Sequence, residues 1–268
     1  MSTIAWTEPD DALVADHTPY LSHSRINRYL TCPEQYRLHY LVGLRPRQPA
    51  ASLHFGQVVH QALAHYFRTG EDSVKHFLAG WGEAEHLPLA YNKRDTWATL
   101  QSTGTKLLQR FGREEAHRIS GIEAIEKPFE ISITSLGLPF VGIIDLVAEF
   151  DGERTVIDFK TAAQSYDGFE VALSDQLTGV LPSVAEGRAG GAVRPGQDEG
   201  AAHRMADHYP GCDQFAAFLA KADLVAQDIG SARFYKRPGK HCAWCDFLPV
   251  CLRDKPKAEE TLVQITVE

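Results

Sequence analysis

Cysteine spacing links the two ends of this 268-residue chain. Cys32 lies near the start, and Cys242, Cys245 and Cys251 follow near the end in the pattern C-x2-C-x5-C. Because the chain has only five cysteines, this clustering predicts four thiolates around one metal centre. A zinc ion, with His241 as a possible substitute ligand, is one alternative, and a metal–sulfur centre is the other. Either would hold the chain ends together, so we expect a structural staple.

The composition is that of an ordinary soluble globular protein, with 44% hydrophobic and 23% charged residues. No apolar run approaches the roughly 20 residues of a membrane helix. The first twenty residues lack the basic start and apolar core of a secretory signal. We therefore expect a cytoplasmic protein without membrane contact, where reduced thiols favour a metal over disulfides.

The net charge of −8 argues against a nucleic-acid partner, but the basic residues are unevenly placed. Residues 21–50 contain five arginines and one acid, and residues 231–257 contain seven basic residues and two acids. Both stretches carry predicted cysteine ligands, so joining the cysteines would create a local positive surface. The alternative is two separate solvated faces.

The hydrophobic pattern changes period along the chain and predicts an α/β fold. Helical spacing is followed by alternating strands, and Asp151-Gly152 separates two of them as a two-residue hairpin turn. Residues 182–207 are rich in Gly and Ala and predict a mobile loop. Helical spacing covers 24–41, where Cys32-Pro33 interrupts it and starts a second helix. Further predicted helices lie at 55–67, 72–86, 93–118 and 213–229 and from Ser174, and predicted strands lie at 127–134, 138–150 and 155–159.

Two acids lie inside the predicted apolar strands. Asp145 ends the segment G-I-I-D, and Asp158 and Lys160 belong to I-D-F-K. A charge in such a strand is costly unless it is paired or bound to metal. The hairpin places Asp145 near Asp158, and Lys160 shares a strand face with Asp158. Alone, a D-x-K tripeptide is commonly a surface feature, but this context favours a metal site.

Other candidate residues carry little signal by themselves. His60 is a lone histidine on a predicted helix, with His54 and His65 as nearby competitors. Gln176 in S-D-Q-L is an ordinary glutamine. Cys212 is left over from the cysteine set and is interpreted as a plain thiol.

Together these motifs resemble the PD-(D/E)xK nuclease superfamily, in particular its RecB-like branch with a C-terminal iron–sulfur cluster. That branch includes CRISPR-associated exonucleases and the nuclease domain of the helicase-nuclease subunit AddB. The matching motifs occur in the order of that family. They are S-x-S-R-I-N-R-Y-L-T-C-P at 22–33, F-G-Q-V-V-H at 55–60, G-I-I-D at 142–145, I-D-F-K-T at 157–161, S-D-Q-L at 174–177, and F-Y-K-R-P-G-K-H-C-A-W-C-D-F-L-P-V-C at 234–251.

The resemblance implies a restriction-endonuclease-like mixed β-sheet flanked by helices, with an iron–sulfur lobe joining the N- and C-terminal segments. It implies a leader at 1–21, a nuclease domain at 22–251 and a tail at 252–268. His60, Asp145, Asp158 and the Phe159 carbonyl would bind Mg²⁺ or Mn²⁺, and Lys160 and Gln176 would act in catalysis. The [4Fe–4S] cluster, which the resemblance favours over zinc, would be held by Cys32, Cys242, Cys245 and Cys251.

The implied function is a metal-dependent DNA exonuclease acting on single strands or DNA ends. The setting would be repair or recombination, phage DNA metabolism or CRISPR spacer acquisition. The chain has no P-loop, so unwinding would need a helicase partner, and CRISPR integration proteins are other possible partners. Val180 stands where the family pattern has a tyrosine, and residues 182–207 replace an expected strand. These departures leave a catalytically impaired DNA-binding scaffold as the alternative.

Overall fold

The structure is a computed structural model that describes residues 20–132, 137–161, 178, 188–190, 207–208 and 212–267. The chain forms two compact units. The first comprises Met1–Gln48, Glu130–Val141 and Ala216–Glu268, and the second comprises Pro49–Phe129 and Gly142–Phe215.

The elements follow in chain order. They are α1 (His23–Thr31), α2 (Pro33–Tyr36), a π-helix (Arg37–Leu41), β1 (Leu44–Pro46), α3 (Ala51–Thr69), α4 (Ser73–Glu83), α5 (Trp97–Glu114), β2 (Ile119–Ser132), β3 (Pro139–Phe150), β4 (Glu153–Ile157), β5 (Arg188–Gly190), β6 (Asp207–His208), α6 (Cys212–Gly230), α7 (Leu248–Cys251), α8 (Lys255–Thr261) and β7 (Leu262–Gln264). Short 3₁₀ turns lie at Ala84–His86, Ala116–Arg118 and Lys240–Trp244.

A mixed sheet forms the centre of the fold, with the strand order β2-β3-β4-β5-β6. The β3–β4 and β5–β6 pairs are antiparallel, and β4–β5 is parallel. In the second unit, apolar residues of α3, α4 and α5 pack with Leu146, Ala148 and Phe150 of β3 and Ile157 of β4 in one core. The predicted mixed α/β class is therefore confirmed. Residues 182–207, predicted as a mobile loop, lie largely outside the described residues.

The β3–β4 hairpin follows directly from its turn residues. Asp151 has φ 50° and Gly152 has φ 82°, and Phe150 pairs with Glu153 across the turn. Two consecutive positive φ values define a type I′ turn, whose twist matches that of the flanking strands. The predicted hairpin is confirmed, and its register is fixed by a two-residue loop.

Strand β2 begins eight residues before its predicted start at Lys127. Its first part, I-S-G-I-E-A-I-E, places isoleucines three residues apart instead of two. Gly121 (φ 54°) and Glu126 (φ 48°) adopt left-handed conformations there. These irregular positions interrupt the alternation by which a strand is recognised, and this explains the error.

The first unit joins segments from both ends of the chain. Strand β1 pairs antiparallel with β7, and Leu44 and Leu262 share a small core with Leu38, Phe247 and Ala258. Residues 252–268, predicted as a tail, thus contain α8 and β7. The domain boundaries drawn from the sequence remain predictions.

Of the helices that the structure describes, none is both long enough and apolar enough to cross a bilayer.

We predict that Gly43→Ala destabilises the protein more than Gly70→Ala. Both glycines have positive φ, 77° and 76°, so both substitutions strain the backbone. A Cβ at Gly43 would also lie 2.3 Å from the Ile265 carbonyl oxygen, whereas a Cβ at Gly70 meets nothing within 4 Å. We expect a loss in unfolding free energy of about 1 kcal/mol for Gly70→Ala and at least about twice that for Gly43→Ala.

Urea unfolding followed by circular dichroism measures both losses. Equal losses for the two variants would contradict the close approach of Gly43 to Ile265.

Candidate functional site

The hairpin register brings Asp145 and Asp158 together. Leu146 pairs with Ile157, and one further step places Asp145 opposite Asp158. The Phe159 backbone N–H donates a hydrogen bond to Asp145 Oδ2 at 2.7 Å. Through this hydrogen bond, Asp145 holds the backbone that follows β4. It thereby fixes the backbone position from which the Asp158 side chain projects.

Helix α3 brings His60 to the same place. His60 Nδ1 lies 3.4 Å from Asp145 Oδ1, and its ring packs edge-on against Phe159 at a centroid distance of 6.3 Å. Gly56 lies one turn earlier on α3, where an added Cβ would be 3.2 Å from Thr161 Oγ1. The small residue thus permits a close approach of α3 to the segment that carries Asp158.

Lys160 neutralises Asp158. Its Nζ lies 2.8 Å from Oδ2 and 3.1 Å from Oδ1 of this carboxylate. The Asp158 side chain is 13% exposed, while that of Lys160 is 31% exposed. The ammonium group is therefore the more accessible member of the pair.

The chemistry of this donor set fits a hard divalent cation. Carboxylates suit Mg²⁺ and Mn²⁺, and Mn²⁺ also accepts imidazole. Within the described part of the chain, no three or more His, Cys, Asp or Glu side chains form a ready-made metal site. Asp158 is instead paired with Lys160, and Asp145 with His60 and a backbone N–H.

Gln176 and Val180 lie outside the described residues, so the role predicted for Gln176 remains a prediction.

The four predicted cysteine ligands all belong to the first unit, although among the described residues they do not form a ready-made metal site. Cys32, Cys242, Cys245 and Cys251 all line one cavity of about 280 Å³. Each has a free thiol.

Three of the sulfur atoms accept hydrogen bonds. The backbone N–H groups of Arg237 and Gly239 lie 3.5 Å from the Sγ atoms of Cys32 and Cys242, and Gln35 Nε2 lies 3.4 Å from Cys245 Sγ. Such donors stabilise thiolate ligands and tune the centre that they bind.

Burial raises the pKa of Cys251 to about 11, and it also raises the pKa of Cys245. Both thiols are therefore protonated at neutral pH unless a bound centre holds them as thiolates.

Residues 20–252 match the sequence profile of the PD-(D/E)XK nuclease superfamily. The chain belongs to this superfamily. Nucleases of this superfamily typically use divalent metal ions such as Mg²⁺. Among curated proteins, none matches the sequence.

Solved structures agree with this fold. A "putative exonuclease" from Eubacterium rectale superposes with a TM-score of 0.54 at 12% identity, covering 91% of this chain and 92% of its own. The alignment with the protein SSO0001 covers 90% of this chain and 94% of SSO0001 at 14% identity. Its TM-score of 0.37 is too low to support the fold.

The electrostatics of this nuclease chain favour a proton on Asp158 and one on His60. Burial and the like charge of Asp145 outweigh Lys160 and raise the pKa of Asp158. At His60, burial opposes protonation, but the hydrogen bond to Asp145 and the charges of both acids outweigh it, so the imidazole pKa is raised. A cation must displace these protons.

Two supporting residues were missed from the sequence. Gly56 belongs to the motif F-G-Q-V-V-H, but the motif did not reveal its role. Its lack of a side chain lets α3 approach Thr161. Gln35, which donates to Cys245, stands three residues after Cys32, and this helical spacing was the only available signal.

We predict that Mn²⁺ binding weakens as the pH falls. His60 and Asp158 must both lose protons to bind a cation, and both pKa values are raised above their ordinary values. Affinity should fall by up to about tenfold per pH unit below the raised pKa of His60. Electron paramagnetic resonance titration with Mn²⁺ between pH 6 and 8.5 measures this dependence.

Two variants test the assignment. His60→Gln should make the profile less steep, because one of the two titrating groups is gone and only Asp158 remains. Glu149→Gln, an exposed acid of the same strand as Asp145, should leave the profile unchanged. A wild-type affinity independent of pH would contradict the prediction.

Proposed function

We propose that this chain is a divalent-metal-dependent exonuclease that hydrolyses phosphodiester bonds of single-stranded DNA or of DNA ends. One observation carries the proposal. Asp145 and Asp158 lie opposite each other across the β3–β4 hairpin, with His60 on one carboxylate and Lys160 on the other. This set combines ligands for a cation with the positive charge of the Lys160 ammonium group.

His60, Asp145 and Asp158 would hold Mg²⁺ or Mn²⁺, with the Phe159 carbonyl as a further ligand from the family likeness. When bound, the ion supplies Lewis acidity and lowers the pKa of a coordinated water. The Phe159 N–H keeps Asp145 oriented through its hydrogen bond. Phe159 itself is buried among aromatic rings, which keeps this backbone position rigid.

Lys160 is placed to act as the catalytic cation. It is the more exposed partner of Asp158 and belongs to a long flexible side chain. Once metal binding satisfies Asp158, the ammonium group would be free to orient the attacking water or stabilise charge on the phosphate. Gln176 would assist at the same site.

The substrate and setting rest on likeness. Superfamily membership favours DNA, and a structural neighbour described as an exonuclease favours cleavage from ends. The role would be in DNA repair or recombination, phage DNA metabolism or CRISPR spacer acquisition. A helicase or CRISPR integration proteins would be its partners.

The cysteine-lined cavity would hold a [4Fe–4S] cluster. Four thiols lining one cavity and hydrogen-bond donors to three sulfurs support a thiolate-bound centre, and the family likeness favours a cluster over zinc. The centre would join Cys32 to the C-terminal segment and act structurally.

Val180 keeps the scaffold alternative open, because it replaces the tyrosine of the family pattern. A protein with an intact cluster and DNA binding but no hydrolysis would favour that alternative.

We predict that Asp158→Asn or Lys160→Met lowers Mn²⁺-dependent cleavage of end-labelled single-stranded DNA by about 100-fold or more. The first change removes a cation ligand. The second removes the ammonium group that would stabilise the negative charge developing on the phosphate. Glu149→Gln should retain wild-type rates. Substrates with blocked 5′ or 3′ ends determine polarity.

Unchanged cleavage in Asp158→Asn would place catalysis elsewhere. Cleavage of circular single strands at the rate of linear ones would contradict an exonuclease.

We also predict that Cys242→Ser lowers the iron and labile sulfide content of anaerobically purified protein and its melting temperature. The loss of one thiolate opens the staple between the chain ends. Cys212→Ser, which alters the cysteine outside the set, should leave the metal content unchanged. A colourless wild-type protein with stoichiometric zinc would refute the cluster.

A further inference from the structure

Aromatic rings surround two arginines of α1. Arg25 is only 6% exposed, and its guanidinium carbon lies 4.1 Å from the Tyr20 ring centroid and 4.5 Å from that of Tyr40. Arg28, one turn later, lies 5.7 Å from the same Tyr40 ring. Residues three apart share a helix face, so the two guanidinium groups are neighbours.

A third arginine adds to this positive charge. Arg45 of β1 donates hydrogen bonds to the carbonyls of His39 and Leu44. Burial and the charges of Arg28 and Arg25 lower the pKa of Arg45. Burial and all three arginines together lower the pKa of His39 to about 3, so this histidine is neutral and adds no charge.

In the described part of the chain, the three arginines have no carboxylate partner. Among the residues that the structure describes, no Asp or Glu forms a salt bridge with Arg25, Arg28 or Arg45, whereas the nearby Arg37 is held by both oxygens of Glu34 at 2.8 Å. Arg25 Nη1 donates a hydrogen bond to the Tyr36 hydroxyl at 3.4 Å, but the buried Nε atoms of Arg25 and Arg28 have no hydrogen-bond partner among the residues described.

Burying positive charge without a counter-ion is costly. An unsatisfied buried donor in a native fold needs an explanation, and a water molecule or an ion bound there is one such explanation. The cluster therefore calls for an anion that accepts several N–H groups at once.

We propose that Arg25, Arg28 and Arg45 form a binding site for a phosphate group of a nucleic-acid strand. Guanidinium groups match phosphate geometry with two parallel hydrogen bonds, and several of them can share its oxygens. The Tyr20 and Tyr40 rings suit the bases or sugars beside such a phosphate. That the anion belongs to nucleic acid rests on the proposed function, while the need for an anion rests on the side chains alone.

Calorimetric titration with inorganic phosphate tests the site directly. Arg28→Gln and Arg45→Gln are the preferred variants because both side chains are only partly buried, unlike Arg25. Each should weaken phosphate binding by about tenfold or more. Arg47→Gln, an exposed arginine of the same basic stretch, is the matched control and should bind as the wild type does.

Arg28→Lys separates charge from geometry. It should bind phosphate with intermediate affinity, because it keeps the charge but loses the paired hydrogen bonds. Unchanged melting temperatures show that the variants fold. The proposal is overturned if wild-type protein binds no phosphate, or if Arg28→Gln and Arg45→Gln bind like Arg47→Gln.

Oligonucleotides determine which phosphate is bound. Single strands with a 5′-phosphate, a 3′-phosphate or only hydroxyl ends are titrated without divalent cations, so that no hydrolysis occurs. If the site binds a terminal phosphate, Arg28→Gln should weaken the binding of only one of the two phosphorylated strands. For an internal phosphate, it weakens all strands alike and lowers the salt-dependence slope by about 1. No weakening of any strand overturns the proposal.

The same preparations separate this site from the proposed function. Asp158→Asn should abolish hydrolysis and retain phosphate binding. Wild-type protein that binds phosphate through Arg28 but cleaves no DNA contradicts only the nuclease proposal. Protein that cleaves DNA but binds strands equally well with Arg28→Gln contradicts only the phosphate site.

Discussion

The opposition of two carboxylates across the β3–β4 hairpin is the constraint on which the candidate site of the second unit depends. Asp145 and Asp158 face each other across the hairpin, and their charges are balanced by a histidine, a backbone N–H and a lysine. The two-residue turn at Asp151-Gly152 fixes this opposition. A slip of one residue would turn every side chain of the strand to the other face, removing both the core contacts and the acid pair.

The first unit meets a different constraint, because its parts come from distant points in the chain. Strands β1 and β7 pair and a small apolar core joins them, yet this core contains few large side chains. The four thiols lie beside it and converge from both chain ends. A centre that binds them would convert binding energy into folding energy, because the unfolded chain offers no such convergence.

The sequence could predict the features that local interactions determine, but not those that depend on contacts between distant residues. The hairpin and its acids follow from local signals, since Asp151-Gly152 between apolar runs specifies both turn and register. The start of β2 could not be predicted, because left-handed residues break its alternation. The arginine cluster was visible only as an excess of basic residues. Burial determines which of these arginines have a carboxylate partner among the described residues. Glu34 pairs with Arg37, so this acid does not neutralise Arg25, Arg28 or Arg45.

The net charge of −8 is therefore a poor guide to the partners of this protein. Charges act over a screening length of about 8–10 Å in physiological salt, so a polyanion responds to the local arrangement. At the hairpin, the acids are already compensated by Lys160 and His60. In the first unit, three arginines and a neutral His39 form a region where positive charge stands without carboxylates among the described residues. Desolvated positive charge interacts more strongly with phosphate than the same charge in water, because the surrounding dielectric is low. A chain that is acidic overall can thus hold a phosphate where its sequence has placed arginines without acids.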